Sequence, residues 1–154
     1  MLLYKNIIKK LIIKKISIST AESCTGGLLA YSFTKNMGSS KVFMSGQVTY
    51  SNQSKINNLK VKKTTLSKYG AVSKEVAKEM IQGLYLKNKT NICISTTGIA
   101  GPSGASKNKP VGLIYIGIRI NKKNIIIKKN FKGTRIQIQK KCVNFILKYL
   151  DKLI

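Results

Sequence analysis

Two hydrophobic periods alternate along this chain. Leu3, Tyr4, Ile7, Ile8, Leu11 and Ile12 recur at helical spacing, with Lys5, Lys9, Lys10 and Lys14 on the other side, which predicts an amphipathic helix over 3–13. Such a basic, apolar-striped helix suits a membrane surface or the domain's own core, and core docking is the commoner use. Ile16-Ser17-Ile18-Ser19-Thr20 then alternates like a strand, and Gly26–Lys35 reads as a helix ending in the turn cluster Asn36–Ser40. Val42–Tyr50 is a second strand containing Gly46, a sign of a bulge or a close backbone approach. Ser51 or Asn52 can cap a short helix with Lys55 in its first turn. A lysine there opposes the helix dipole, so its position is locally unfavourable.

Further on, Thr65–Tyr69 is a short helix stopped by Gly70. Ser73 caps a longer one with Val76, Ala77, Met80, Ile81 and Leu84 as its stripe. Asn91–Thr97 is a buried strand running into the loop Gly98–Gly104. Val111–Ile120 and Asn124–Phe131 pair through Asn121-Lys122-Lys123 as a hairpin. Thr134 caps a last helix that buries Val143, Ile146, Leu147, Leu150 and Leu153. The order of elements predicts an α/β domain over residues 1–154, its central sheet mixed and mostly parallel. Two glycine-rich turns, Thr20–Gly27 and Gly98–Gly104, each follow a strand. If those strands are parallel neighbours, the turns meet at one sheet edge and frame one pocket.

Composition changes the picture in two ways. The 154 residues hold no His, which removes Ser-His-Asp and Cys-His catalysis and every His-liganded metal site. A general base must then be Lys, Tyr, Glu, Asp or water. The formal charge is +25, from 29 basic and 4 acidic residues. That balance suits a nucleic-acid or anionic-membrane binder. However, the cations are nearly all Lys, spread through every segment, with Arg only at positions 119 and 135. A Lys-, Ile- and Asn-rich composition from A/T-rich coding accounts for this better, because base recognition favours the bidentate fork of Arg. Three Cys without a CxxC read as free thiols in a reducing, cytoplasmic setting. The longest near-apolar run, Val111–Ile118, is too short to span a bilayer.

Candidate chemistry gathers at the first glycine turn. Ser23 is either a helix cap or a nucleophile. Cys24 is a rival nucleophile or a small buried residue. Lys55 is a surface charge, or a neutral base whose pKa is lowered by neighbouring cations or by burial. Tyr50 is a strand-end core ring, or a group that relays the proton or holds an amide. Glu22 either orients Lys55, closes the site with an ion pair, or is one more salt bridge among many cations. Gly98–Gly104 resembles a phosphate cradle without matching GxxxxGK[ST] or GxGxxG, and otherwise is a tight turn. Arg135 is placed to clamp a phosphate or sits on the surface.

Seven motifs in order then carry a resemblance: Ala21–Gly27, Gly38-Ser39-Ser40, Val48–Asn52 with Lys55, Gly70–Ser73, Gly98–Pro102, Lys109–Gly112 and Phe131–Arg135. From about residue 5 to its end, the chain resembles the CinA C-terminal domain family, the nicotinamide-nucleotide amidohydrolases. The resemblance implies a three-layer α/β/α sandwich. It implies conversion of nicotinamide mononucleotide and water to nicotinate mononucleotide and ammonia, with no metal or other cofactor, by a homo-oligomer. It places the catalytic serine, tyrosine and lysine on Ser23, Tyr50 and Lys55. The substrate loop falls on Gly98, Ile99, Ala100, Gly101 and Pro102. Backbone N–H groups near Thr25, Gly26 and Gly27 are then the expected oxyanion donors, with Glu22, Asn52 and Arg135 as further substrate-side residues. The family loop usually continues Gly-Pro-Asp-Gly-Gly, where this chain has Gly101-Pro102-Ser103-Gly104-Ala105. Gln53 replaces a usual Glu, and Gln139 a usual second Arg. Those departures keep a catalytically impaired nucleotide-binding or scaffold protein as the alternative, and the charge of +25 keeps a basic nucleic-acid-binding module as a third.

Overall fold

A computed structural model describes residues 2–154, with side chains placed from Lys5 onward. The helical stripe at Leu3 and Tyr4 therefore lies outside the described side chains. Of the rest of that stripe, Ile7, Ile8 and Leu11 are buried in the core and half-buried Ile12 packs against it, so helix α1 (Leu2–Ile13) docks on its own domain.

The order after α1 is β1 (Ile18–Glu22), α2 (Leu28–Thr34), a 3-10 turn at Ser39–Lys41, β2 (Phe43–Val48) and α3 (Asn52–Leu59). Then follow α4 (Lys63–Tyr69), α5 (Lys74–Asn88), β3 (Ile92–Gly98), β4 (Leu113–Ile120), β5 (Lys123–Asn130) and α6 (Arg135–Leu153). The caps fall where the sequence puts them. Ser51 accepts from Ser54 N, Ser73 accepts from Val76 N, and Thr134 forms a capping box with Gln137. Several boundaries move by one or two residues; β1, expected over 16–20, runs Ile18–Glu22, and two other shifts have a backbone cause. The glycines of the predicted Gly26–Lys35 helix lie outside α2, with φ of 59° and 99°, a left-handed turn that glycine adopts without a Cβ penalty. The hairpin turn is only Asn121-Lys122, both at positive φ, as a two-residue loop joining twisted strands requires.

The five strands form one sheet in the order β2-β1-β3-β4-β5. β1 pairs in parallel with both β2 and β3, while β3–β4 and β4–β5 are antiparallel. Only β4 therefore runs against the rest. Along β3, side chains alternate between two apolar clusters. Ile92 and Ile94 join α1, α2 and α6 on one face, while Cys93 joins α3, α4 and α5 on the other. Helices thus cover both faces, giving the expected three-layer α/β/α sandwich. Gly46 is a close approach: a Cβ there would lie 2.9 Å from Ala30 Cβ of α2. Leu153 departs from expectation; it is 37% exposed, and the last buried stripe residue of α6 is Leu150.

This topology makes the site. β1, β2 and β3 are parallel, so their C-terminal ends, the Ser23 turn, the Thr49–Lys55 segment and the Gly98 loop, share one sheet edge. β5 points the same way, so the Thr134–Arg135 start of α6 arrives there too.

Candidate active site

Ser23 sits just past β1, 8% exposed. Its backbone N–H donates to Thr96 O on the neighbouring strand, 3.0 Å away. Lys55, on the first turn of α3, reaches across to it: Nζ is 3.0 Å from Ser23 Oγ and 2.8 Å from Thr49 O. Lys55 is 1% exposed, so it is not a solvated surface charge. Burial lowers its pKa from the ordinary lysine value, opposed only by attraction to a Cys24 thiolate. No salt bridge engages Lys55 among the described residues. The amine is thus desolvated, unpaired and held on the serine hydroxyl, as a lysine base for a serine nucleophile requires. Cys24 is the opposite case. Its thiol is buried, and burial is the main cause that pushes its pKa up to about 12, which suppresses the thiolate at neutral pH.

Glu22 overturns both functional alternatives given to it. Among the described residues it makes no ion pair and no hydrogen bond to Lys55. Its fully buried carboxylate turns the other way and accepts from Thr25 Oγ1 (2.6 Å), Gly27 N (3.0 Å), Leu29 N (3.0 Å) and Ala30 N (2.7 Å). An α-helix start has unpaired N–H groups and a positive dipole end, and this carboxylate meets both at α2. Thr25 also hydrogen-bonds Thr96 Oγ1, at 2.8 Å. Glu22, Thr25, Gly26 and Gly27 build the turn and do not line the cavity: Gly26 N–H is taken by Ser23 O and Gly27 N–H by Glu22. The oxyanion donors expected at Gly26 and Gly27 are therefore already engaged, whereas the amides of Cys24 and Thr25 are not taken by either bond.

A cavity of about 280 Å³ opens beside Ser23. Of the expected residues, Ser23, Tyr50, Asn52, Lys55, Gly98, Ile99, Ala100, Gly101 and Arg135 line it, while Pro102 turns out to solvent. Tyr50 is not a core ring; it is 60% exposed, and its Oη accepts from Arg135 Nη2 at 2.6 Å. Arg135 Nη1 donates to Gly101 O at 2.7 Å. The guanidinium thus straps the β2 end to the glycine loop. Sequence reasoning missed Thr49, whose carbonyl holds Lys55, and the Ala71-Val72 wall. The wall is fixed by Thr97 Oγ1, which donates to Ala71 O at 2.7 Å. A signal existed, since Gly70–Ser73 is one of the ordered motifs. Gln139, also missed, donates from Nε2 to Cys24 O at 2.9 Å.

A buried Ser-Lys pair at the strand ends of a three-layer α/β/α sheet, beside a glycine loop, defines the class of site. The comparisons give the family. The profile described as CinA C-terminal domain matches residues 2–154, and the chain belongs to that family. A Fusobacterium nucleatum CinA-like protein is 51% identical over 141 residues, 92% of this chain and 34% of its own length. A Clostridium botulinum relative whose name refers to competence-damage induction is 51% identical over 149 residues, 96% of this chain and 36% of its own. The chain thus spans about a third of the curated relatives it matches. Solved structures match along nearly their whole length. The Agrobacterium tumefaciens competence/damage inducible protein CihA superposes with a TM-score of 0.94 at 37% identity, covering 98% of this chain and 93% of that one. The Escherichia coli CinA superfamily protein gives 0.94 at 32%, covering 99% and 88%. No helix among the described residues is long and apolar enough to cross a membrane.

Proposed function

We propose that this chain hydrolyses the carboxamide of nicotinamide mononucleotide, giving nicotinate mononucleotide and ammonia. The observation that carries the reading is the buried Lys55 Nζ at 3.0 Å from Ser23 Oγ. Neutral Lys55 takes the Ser23 proton as Oγ attacks the amide carbon. The resulting oxyanion is stabilised by backbone N–H groups, for which that of Cys24, a residue lining the cavity, is the candidate in place of Gly26 and Gly27. Protonated Lys55 returns its proton to the amide nitrogen, the C–N bond breaks, and ammonia leaves. Water, deprotonated by Lys55, then attacks the acyl-serine and releases the carboxylate. Tyr50, strapped by Arg135, forms one rim of the cavity and the Gly98–Gly101 loop the other.

The cavity is at the small end of ligand sites, which suits enclosure of the nicotinamide end of the nucleotide. No carboxylate lines it, and the positive field of the chain draws an anionic substrate inward. The same reading takes the protein as a cytoplasmic homo-oligomer without a metal or nucleic-acid partner; its free, buried cysteines support a reducing compartment. The test is ammonia release from nicotinamide mononucleotide by the purified protein. Release that Ser23→Ala and Lys55→Met abolish supports the reading. No release, or equal release by Ser23→Ala, overturns it; nucleotide binding without turnover would leave a binding protein.

A further inference from the structure

α6 enters the site at three points. Arg135, on its first turn, donates to Gly101 O and Tyr50 Oη. Gln139, one helical turn on, donates from Nε2 to Cys24 O at 2.9 Å. Residues four apart share a helix face, so one face of one helix reaches the glycine loop, the β2 end and the nucleophile turn. Cys24 is the residue after Ser23, and its carbonyl sits in a turn with left-handed glycines at Gly26 and Gly27. Thr96 O holds that turn on its strand side and Glu22 holds it on its helix side. The Gln139 amide supplies the contact from α6.

We propose that Gln139 is a positioning residue for Ser23: its side-chain amide anchors the Cys24 carbonyl and so fixes Ser23 Oγ against Lys55 Nζ. This rests on the reading of Ser23 as the nucleophile. The carbonyl needs a donor, so Glu at 139 faces it with a carboxylate that cannot donate, whereas Arg supplies N–H groups. The hydrogen-bonding sense therefore separates the variants, beyond their size. A displacement of about 1 Å at the reacting pair costs up to about 100-fold in rate.

The test compares wild type, Gln139→Ala, Gln139→Glu and Gln139→Arg by two measurements. One is steady-state hydrolysis of nicotinamide mononucleotide. The other is the rate at which a fluorophosphonate labels Ser23 as a function of pH, followed by mass spectrometry, which needs no knowledge of the substrate. In Ala and Glu, kcat and the labelling rate fall at least about tenfold with KM within about twofold, while Arg restores them. Denaturation midpoints close to wild type for all three establish that folding is intact. Ala or Glu labelled at the wild-type rate overturns the positioning role alone. A wild type whose Ser23 neither turns over nucleotide nor takes the label overturns the nucleophile reading, and this proposal with it. Turnover failing while labelling follows the Ala, Glu and Arg pattern overturns only the choice of substrate.

Discussion

Glu22→Gln is the substitution that most sharply separates a structural carboxylate from a catalytic one. Oε2 accepts from Thr25 Oγ1, Gly27 N and Leu29 N, and Oε1 accepts from Ala30 N. Glutamine can keep its single oxygen at the Oε2 position, but its NH2 group then faces the Ala30 N–H, donor against donor. A hydrogen bond to a charged group contributes about 1.5–3 kcal/mol, and leaving its buried partner unmet carries that loss in full. The three bonds that remain become neutral acceptor bonds, roughly half as strong, and the charge at the start of α2 is gone. Relief from burying a carboxylate offsets part of this. The net loss is about 2–4 kcal/mol, a large fraction of a domain's stability. With a urea m-value of about 2 kcal/mol/M, the unfolding midpoint falls by roughly 1–2 M. Hydrogen exchange localises the change, with the amides of Leu29 and Ala30 losing protection before the strands do. A midpoint within about 0.3 M of wild type, a small part of the expected shift, and unchanged exchange at those two amides would refute the capping account.

Three other expectations follow from the same geometry. Because burial lowers the Lys55 pKa, the folded chain releases the Lys55 proton at a pH where the unfolded chain still holds it; wild type therefore gains stability relative to Lys55→Met as pH rises from the folded pKa to about 10.4, the unfolded value. Urea titrations of both proteins at pH 6 to 10 show the stability of wild type minus that of Lys55→Met rising with pH, and a difference independent of pH counts against a depressed lysine. Cys24, with its pKa raised to about 12, resists iodoacetamide at pH 7.5, and Cys24→Ser retains ammonia release within a few-fold; loss of activity on alkylation of wild type but not of Cys24→Ser would restore the thiol as nucleophile. Gly83→Ala improves helix propensity by about 1 kcal/mol, yet its Cβ lands on the Leu59 carbonyl of α3. Overpacking against backbone takes the upper end of the usual 1–3 kcal/mol or more, so thermal unfolding shows a net loss of about 2 kcal/mol, and any stabilisation would disprove the tight α3–α5 contact.

Local chemistry made the elements legible, and long-range direction was what it could not supply. Ser51, Ser73 and Thr134 announce their helices because capping is a matter of three or four adjacent residues. The shared edge of the Ser23 turn and the Gly98 loop was readable once both strands were taken as parallel. Glu22 was not. Its spacing to Lys55 says nothing about which way the side chain leaves β1, and the left-handed Gly26-Gly27 turn brings α2's first amides back onto it. Tyr50 and Arg135 were each singled out separately; their contact joins residues 85 apart in sequence and exists only because β2 and β5 end at one sheet edge. Gln139 drew attention only as a departure from a usual arginine, and its bond to Cys24 O joins residues 115 apart in sequence, on α6 and the Ser23 turn.

The scarcity of acid in this chain bears directly on Lys55 as the proposed base. Four carboxylates stand against 29 cations, and the one adjacent in sequence to Ser23 points into a helix start. Had Glu22 turned towards Lys55, a buried ion pair would hold the ammonium protonated and raise its pKa, since an opposite charge within a few ångströms favours the charged form. Lys55 would then be a donor fixed on Ser23 Oγ, unable to remove its proton. Directing Glu22 to Gly27, Leu29 and Ala30 does two things with one side chain: it anchors the turn that presents Ser23, and it keeps negative charge off the amine. Lys55 is left with a hydroxyl and a carbonyl as its hydrogen-bond partners, both neutral, in a buried place where burial favours the free base. A carboxylate at the strand end would undo that arrangement: Thr49→Asp, at the position whose backbone carbonyl holds Lys55 Nζ, moves the acid limb of the pH–rate profile to higher pH by favouring the lysine's charged form. A limb that stays in place, with the protein folded, would show that the protonation of Lys55 does not govern the reaction.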